Sequence, residues 1–322
     1  MPACQRIAAL VVAAFCIAQP AAAQSFPTKE IRLVVPYAAG GSTDQLARAI
    51  QRSMAQTLGQ PVIVENRPGA GGTLGVNYVV RARPDGYTLV FGNTGPNAIV
   101  GLMRQIPYDP QKDLRPISTV AFTPMILAVP SDSPARSVAG FIAYAKQAPR
   151  GSLNIGSVGN GSLSHLTAEA FGEAASIQLQ HIPYNGGAPM MTAFEGGQLH
   201  AAFVTGLDGA TLVASGKVRY LAVATPKPTD VVPGLPAIAE RLPDFKSSAW
   251  FGVLAPKGTP NDVIDTLNAA VVKAVAEPEL RRFFAARNVE ARSSTPAQLG
   301  RLIADEMAQW QPVIRKADIK MD

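Results

Sequence analysis

Cysteine is almost absent from this chain: among its 322 residues only Cys4 and Cys16 are cysteines, and both lie within the first 23 positions. Beyond those positions the chain cannot form a disulfide, bind a metal through thiolates or use a cysteine nucleophile. Histidine is scarce as well, since the sequence has three histidines, no HExxH motif and no pair of histidines at metal-ligand spacing on a helix. We therefore expect no metal site.

Clustered positive charge is also lacking. The 29 Lys and Arg residues outnumber the 23 Asp and Glu residues, but no basic run is longer than Arg281-Arg282. Proteins that bind nucleic acids usually concentrate positive charge on one face or along one helix. With 47% hydrophobic and 16% charged residues, the composition is typical of a folded chain and not of a disordered one. The sequence therefore predicts a folded protein with no nucleic-acid partner.

Motifs for nucleotide binding and for hydrolysis are incomplete. Residues 69–75 (GAGGTLG) do not match GxGxxG in register, and GxxxxGK[ST] is absent, so we expect no nucleotide cofactor. A nucleophile elbow could lie only at residues 159–163 (GNGSL), which lack the final glycine. Ser162, His165 and Asp44 could be drawn as a triad, but a serine three residues before a histidine on one helix suits an N-cap better than a nucleophile. An exported α/β hydrolase that uses Ser162 remains the alternative to a binding protein.

The first 23 residues have the composition of a secretory signal peptide. Arg6 precedes an apolar stretch at 7–18, and Ala21 and Ala23 occupy the two positions that signal peptidase recognises. The apolar stretch is too short to span a membrane, and no other run in the chain reaches about 18 apolar residues. Cys16 does not fit a lipoprotein site, because a bulky residue precedes it. We expect cleavage after Ala23 and a soluble periplasmic protein.

Strands alternate with helices through the first third of the remaining chain. Residues 31–37, 61–66 and 87–93 are short β-branched or apolar runs, whereas 40–59 and 69–82 have apolar residues at helical spacing. A βαβαβ order of this kind predicts a parallel, doubly wound sheet with helices on both faces.

A second unit follows a mostly apolar stretch at 118–129, which Pro124 interrupts and which is long enough to pass from one lobe into another. Residues 250–256 predict another buried strand, which could be the return crossing. The remaining predicted helices lie at 137–148, 162–174, 187–196, 260–276, 278–286 and 296–315, and the remaining predicted strands at 152–157, 177–184, 200–204 and 217–225.

The two units share a glycine-rich turn between a strand and a helix. Residues 34–47 (VVPYAAGGSTDQLA) and 181–193 (HIPYNGGAPMMTA) both read strand, Pro-Tyr, one or two further short side chains, Gly-Gly and helix. Glycines let a ligand approach the backbone, and the free N–H groups of the following helix suit an anion. Similar turns occur at 66–72, 92–97 and 157–165. One such turn could be a mere connection, but five of them after strands favour a ligand cleft.

Long segments of the chain resemble the periplasmic solute-binding proteins of tripartite tricarboxylate transporters, the Bug family. The resemblance is carried in order by 26–48, 59–75, 83–95, 153–166 and 181–189, and it extends over nearly all of the chain after the leader. It implies a two-lobed α/β clamp of the periplasmic-binding-protein (Venus flytrap) architecture, in which each lobe is a sheet flanked by helices and two crossing strands join the lobes. It also implies a small, often carboxylate-bearing ligand and an inner-membrane permease as partner.

The resemblance implies that backbone N–H groups in the first strand-to-helix turn of each lobe bind a ligand carboxylate. One loop departs from the family pattern, because residues 204–209 read VTGLDG where family members often carry an Asp followed by a small or amide residue. The candidate binding residues are Tyr37, Ala38, Ala39, Gly40, Gly41, Ser42, Thr43, Asp44, Asn93 and Thr94 in the first lobe, and Ser157, Gly159, Asn160, Gly161, Ser162, His165, Tyr184, Asn185, Gly186, Thr205 and Asp208 in the second.

Several of these residues have a purely structural alternative. Tyr37 and Tyr184 could be core aromatics, and Asp44 could simply cap its helix, where a carboxylate is favoured by the helix dipole. We expect a monomer with a signal peptide at 1–23, a first lobe from 24–120 and 250–322, and a second lobe from 121–249. The binding component of another importer type would leave this fold and site nearly unchanged, and the sequence does not identify the ligand.

Overall fold

The computed structural model of the protein describes residues 26–316. The predicted signal peptide and both cysteines lie outside the described residues. The strands are β1 (Ile31–Val35), β2 (Val62–Asn66), β3 (Thr88–Asn93), β4 (Leu114–Pro124), β5 (Ile126–Pro130), β6 (Asn154–Ser157), β7 (Gln180–Pro183), β8 (Ala201–Val204), β9 (Val218–Val223), β10 (Ser248–Pro256) and β11 (Glu290–Ala291).

Helices connect most of these strands. Short non-α turns lie at Ala70–Gly72, Gly95–Ile99 and Ile238–Glu240. The α-helices are α1 (Ser42–Leu58), α2 (Thr73–Val80), α3 (Val100–Met103), α4 (Val138–Gln147), α5 (Leu163–Ala175), α6 (Gly187–Glu195), α7 (Gly206–Ala214), α8 (Asn261–Ala276), α9 (Pro278–Ala285) and α10 (Pro296–Lys316). Among the helices between residues 26 and 316, none combines the length and the apolar character that a transmembrane span needs.

The strands form two mixed sheets, one in each lobe. The first has the order β11-β4-β10-β3-β1-β2, and β1 pairs in parallel with both β2 and β3. This confirms the parallel arrangement predicted from the βαβαβ order, to which β10 adds an antiparallel neighbour. The second sheet has the order β7-β6-β8-β5-β9, in which β6, β7 and β8 are parallel and β5 is antiparallel to its neighbours.

Apolar side chains cover both faces of the first sheet, as a doubly wound sheet requires. Leu33 and Val35 on β1 pack into the core on the side of α1 and α8, whereas Val34 packs on the other side with α2 and α10. All three are fully buried. Because successive strand residues point to opposite faces, a sheet with helices on both sides needs apolar residues at every position of its central strands.

The chain crosses between the lobes twice, and the two crossings are hydrogen-bonded to each other. The first crossing is at Met125, between β4 of the first sheet and β5 of the second. The Met125 N–H donates to Ser247 O (3.0 Å), and its carbonyl accepts from the Ala224 N–H (2.7 Å). Ser247 also donates to Ala224 O (2.8 Å) immediately before β10 re-enters the first sheet. The return passage therefore comes just before residues 250–256, which lie inside β10 of the first sheet.

Two helical segments were absent from the sequence predictions. The segment from Gly95 to Met103 is helical, and so is α7, which follows Thr205. Glycines at 206 and 209 lower the helix propensity of α7 and hide it from a propensity-based prediction. A usable signal was present nevertheless: Thr205 and Asp208 have the [ST]-x-x-[DE] spacing of a helix start, and the Asp208 N–H donates to Thr205 Oγ1 (3.1 Å).

Candidate functional site

A narrow cavity lies between the two lobes, beyond the carboxyl ends of the parallel strands of both sheets. About 40 Å³ of it is accessible to water-sized molecules. This is the position at which open α/β sheets bind their ligands. The residues that line it are Tyr37, Gly41, Ser42, Thr43, Asn93, Thr94, Gly95, Met125, Val158, Ser162, Leu163, Ser164, Gly187, Phe203, Thr205, Asp208, Ala249 and Phe251.

The structure divides the candidate residues from the sequence into two groups. The first group lines the cavity and comprises Tyr37, Gly41, Ser42, Thr43, Asn93, Thr94, Ser162, Thr205 and Asp208. The second group belongs to the same turns without lining the cavity, and comprises Ala38, Ala39, Gly40, Asp44, Ser157, Gly159, Asn160, Gly161, His165, Tyr184, Asn185 and Gly186.

The wall in the first lobe is a connected hydrogen-bond network. Buried Tyr37 donates its hydroxyl to Asn93 Oδ1 (3.3 Å) and lies 3.4 Å from Gly71 O, while Asn93 Nδ2 donates to Thr43 Oγ1 (3.3 Å). Burial strongly raises the pKa of Tyr37, against the smaller effect of its bond to Asn93. The phenol therefore stays neutral and acts as a hydrogen-bonding part of the wall. Tyr37 is buried, as a core aromatic would be, and it also lines the cavity, so both interpretations of this residue from the sequence apply.

Asp44 stabilises the turn between β1 and α1 without lining the cavity. Its carboxylate accepts hydrogen bonds from the Gly40 N–H (2.9 Å), Arg48 Nε (3.0 Å) and Asn66 Nδ2 (2.9 Å). Burial opposes ionisation of Asp44, but the bonds from Arg48, Gly40 and Asn66 outweigh it and lower its pKa. The carboxylate is therefore ionised and fully engaged, and it shapes the turn before α1.

Asp208 connects the two lobes. Its Oδ1 accepts the backbone N–H of Ser42 at 2.7 Å, although the two residues are 166 positions apart, and its Oδ2 accepts the Thr205 hydroxyl at 2.8 Å. Burial raises the pKa of Asp208, against the opposing hydrogen bonds from Thr205 and Ser42. A side chain at Gly187 would clash with the carboxylate, so glycine is required there.

The glycine-rich turns of the two lobes meet at the edge of the cavity. The Ala38 N–H donates to Asn185 O across the lobes (3.3 Å), and a Cβ on Gly41 would lie only 3.1 Å from Gly187 N. Gly186 has a φ of 123°, which L side chains rarely adopt. The two glycine-rich turns at 36–41 and 183–187, which the sequence showed to be alike, therefore face each other in the folded protein.

Ser162 is the N-cap of α5, and no catalytic triad is assembled around it. Its Oγ accepts the His165 N–H (3.3 Å) and lies 3.0 Å from Ser164 Oγ. The His165 imidazole is not its partner, because His165 Nδ1 accepts the Gly161 N–H (3.2 Å). Asp44 is bonded elsewhere, as described above. The interpretation of Ser162 as a helix cap is confirmed.

Two stacked histidines support the turn of the second lobe. The rings of His165 and His181 lie 3.8 Å apart at 10°, and His181 Nε2 is 2.6 Å from Ser157 Oγ. Burial, together with the neighbouring His165, lowers the pKa of His181 to about 3. The neutral form of His181 is therefore the one that holds the Ser157 hydroxyl, and with it the turn.

Sequence reasoning missed half of the lining residues. Five of these lie within turns that were singled out, so the turns themselves were the available signal: Gly95, Val158, Leu163, Ser164 and Gly187. Apolar strand and crossing residues give no such signal, because burial in a core and burial against a ligand produce the same pattern. The lining residues of this kind are Met125, Phe203, Ala249 and Phe251.

Within residues 26–316, no three His, Cys, Asp or Glu side chains lie close enough together to hold a metal ion. The lining residues described above offer hydroxyls, amide groups and apolar surface, with Asp208 as their single charged side chain. Helices α1 and α5 begin at this cavity, so their unbonded N–H groups and positive dipole ends are directed at it. The arrangement can bind a small anion without a basic side chain.

Comparison with known proteins gives consistent matches over most of the chain. A family model described as tripartite tricarboxylate transporter family receptor matches residues 46–319. Protein BugT of Bordetella pertussis is 34% identical over 308 residues, which cover 95% of this chain and 94% of BugT. A protein of R. palustris solved with adipate is 33% identical with a TM-score of 0.88, covering 92% of this chain and 99% of that one. MatC from Rhodopseudomonas palustris, solved with bound malate, is 32% identical with a TM-score of 0.85, covering 90% and 100%.

Proposed function

This chain belongs to the tripartite tricarboxylate transporter receptor family of periplasmic solute-binding proteins, and we propose that it captures a small carboxylate-bearing solute between its lobes for delivery to the membrane permease of such a transporter. The observation that supports this most directly is the cavity: helices of both lobes begin at it, and hydroxyls surround it without any basic side chain. Relatives that were solved with adipate and with malate support a carboxylate ligand.

We infer that the carboxylate is bound by backbone N–H groups and hydroxyls. In this proposal the direct contacts come from the cavity-lining residues Thr43, Thr94, Ser162 and Ser164, at the starts of helical segments in both lobes. Tyr37 and Asn93 orient the first wall through their hydrogen bonds. The candidate residues that do not line the cavity hold the turns in shape. Charge-assisted hydrogen bonds of this type are worth roughly 1.5–3 kcal/mol each.

The further parts of the proposal concern export and assembly. We propose that the leader is cleaved after Ala23, that the exported protein carries no lipid, and that it works as a monomer. The division into lobes at 120/121 and 249/250 stays a prediction; the sheets themselves change at Met125 and just after Ser247. The mass of the protein recovered from the periplasm tests the cleavage: residues 1–23 retained, or a lipid attached, would contradict it.

The function is tested by a thermal-shift screen of the purified protein with monocarboxylates, dicarboxylates, hydroxy acids, aromatic acids and amino acids. A ligand at 100 times its Kd stabilises the native state by about 2.7 kcal/mol, which gives a readable rise in Tm. We expect at least one acid to raise the Tm and its fully amidated analogue to have little effect. If no acid raises the Tm, or if acid and diamide act alike, the proposal is wrong.

A further inference from the structure

Asp208 places a carboxylate inside the binding cavity. Asp208 lies in the first turn of α7, where its two oxygens accept the Thr205 hydroxyl at 2.8 Å and the Ser42 backbone N–H at 2.7 Å. Ser42 N–H belongs to the first turn of α1, so it is one of the donors that a bound anion would use. In this structure the Ser42 N–H already donates to Asp208 Oδ1.

No cation in the described cavity wall balances this carboxylate. The lining residues include no Lys, Arg or His. On α1, the basic side chain beside this turn is Arg48, whose guanidinium is bonded to Asp44. From β9 the neighbour is the Tyr220 hydroxyl, which donates to Gly206 O (3.1 Å) and is therefore turned to the backbone. The described cavity wall therefore offers the Asp208 carboxylate neutral donors and no basic side chain.

Two requirements on the ligand follow from this arrangement. A carboxylate has four lone-pair directions, and Asp208 accepts the Ser42 N–H and the Thr205 hydroxyl, with the Ser42 hydroxyl and the Thr205 backbone N–H also acting on it. An N–H donor on a ligand would share an oxygen with these neutral donors or displace the weaker ones. A second ligand carboxylate at this end would instead meet a like charge in a partly buried place, which is unfavourable.

We propose that Asp208 is a specificity-determining residue, which selects solutes that carry one carboxylate and, at the other end, an ammonium or amide N–H group. The inference rests on the proposed function and narrows its ligand class from carboxylates in general to amino or amide monocarboxylates. A ligand ammonium would also offset the cost of burying the Asp208 charge, because an opposite charge favours the ionised form.

The test compares acids of equal chain length by titration calorimetry at neutral pH. One series contains succinate, its monoamide succinamate and 4-aminobutyrate, and a second contains adipate, its monoamide and 6-aminohexanoate. Each is measured with the wild-type protein, with Asp208→Asn, and with Asp305→Asn, which removes the same charge from an exposed position on α10. Asparagine keeps the shape of aspartate and can still accept from Ser42 N–H, so the variant changes the charge and little else.

We expect the wild-type protein to bind the amide or amino acid of at least one series ten times more tightly than the matching dicarboxylate. Asp208→Asn should reduce that preference at least tenfold, whereas Asp305→Asn should leave it unchanged. A wild-type protein that prefers the dicarboxylates overturns the inference, and this comparison stands even if Asp208→Asn does not fold. An unchanged preference in folded Asp208→Asn overturns it as well.

The same data separate this inference from the proposed function. If dicarboxylates bind well and the amino and amide acids do not, the protein is a carboxylate receptor and only the role of Asp208 is wrong. If neither series binds and the acid screen above is also negative, the proposed function is wrong and the inference falls with it.

Discussion

Buried polar side chains in this protein do different work according to their partners. Asp44 receives three donors, one of them the charged guanidinium of Arg48, and its pKa is lowered. Asp208 receives only neutral donors, and burial raises its pKa. His181 is kept neutral beside Ser157. The same residue type therefore serves as a turn support in one place and as a candidate selector of ligands in another, because the balance between desolvation and hydrogen bonding differs.

At the residue scale, Glu306 should make the stability of the protein depend on pH. Burial raises its pKa to about 7, against the hydrogen bond from Trp310 Nε1 (3.1 Å) and the charge of Lys246. The folded state therefore holds this proton more tightly than the unfolded state does. The stabilisation is complete below the unfolded pKa of 4.5 and is lost as the pH rises through about 7.

Glu306→Gln should remove that dependence. Between pH 5 and pH 8 the wild type should lose about 2–3 kcal/mol of its free energy of unfolding that the variant does not lose. Urea denaturation of both proteins at each pH measures this difference. Glu279→Gln on α9 is the control, since it makes the same chemical change at an exposed position. A difference between Glu306→Gln and wild type that does not vary with pH would contradict the prediction.

Ser162 allows a second prediction at the residue scale, which separates a binding protein from a hydrolase. Ser162→Ala removes the side chain that caps α5, so the free energy of unfolding should fall by about 1 kcal/mol. Hydrolysis of a panel of activated esters should be equally low for the variant and for wild type. Ester cleavage that disappears with Ser162 would favour the hydrolase alternative instead.

At the element scale, the two glycine-rich turns act as a pair. Gly41 has an ordinary φ of −77°, so alanine suits its backbone, but the new Cβ would lie 3.1 Å from Gly187 N in the other lobe. Gly41→Ala should therefore hold the lobes slightly apart while leaving each lobe intact. We expect weaker binding of the acid that the thermal-shift screen identifies, by tenfold or more, with an almost unchanged Tm in its absence.

The control for this variant is Gly300→Ala on α10. Its Cβ would make an ordinary contact of 3.6 Å with Pro116 within the first lobe. Alanine in a helix is favoured over glycine, so this change should be neutral or slightly stabilising and should not affect binding. Equal binding by Gly41→Ala and wild type would show that the close approach of the two turns has no part in capture.

At the scale of the whole molecule, the two lobes are joined by hydrogen bonds of two distinct kinds. Those among Met125, Ala224 and Ser247 lie at the crossings and persist when the lobes separate, because all three residues belong to the connection itself. Those from Ser42 N to Asp208 and from Ala38 N to Asn185 exist only while the lobes touch. These two hydrogen bonds alone stabilise the closed state only slightly. A ligand that contacts both lobes adds further contacts in the closed state, so its binding should shift the population toward closure.

Ligand-driven closure predicts a smaller radius of gyration in solution. Small-angle scattering should show the decrease when the acid that the thermal-shift screen identifies is added to saturation, and Asp305→Asn should show the same decrease as wild type. An unchanged radius at saturation would indicate a rigid scaffold or a site within a single lobe.

Much of this protein could be predicted from local sequence patterns. The strand-helix alternation, the end of α1 at Gly59 and the cap at Ser162 depend on residues close together in the chain, so periodicity and turn chemistry report them directly. The resemblance of long segments to a known family added the two-lobed architecture. The cavity-lining turns could be predicted because a glycine-rich turn that follows a strand five times in one chain is more typical of a ligand cleft than of simple connections.

Only the tertiary structure decided which groups face one another across the cavity. Asp208 meets Ser42 because β8 and β1 end at the same cleft in different lobes, and no periodic pattern relates residues that far apart. The apolar wall from Met125, Phe203 and Phe251 was likewise indistinguishable from core in the sequence. Hydrophobic spacing in the sequence shows only that a side chain is buried. Which groups that side chain contacts depends on the packing of whole sheets and on how far the two lobes close.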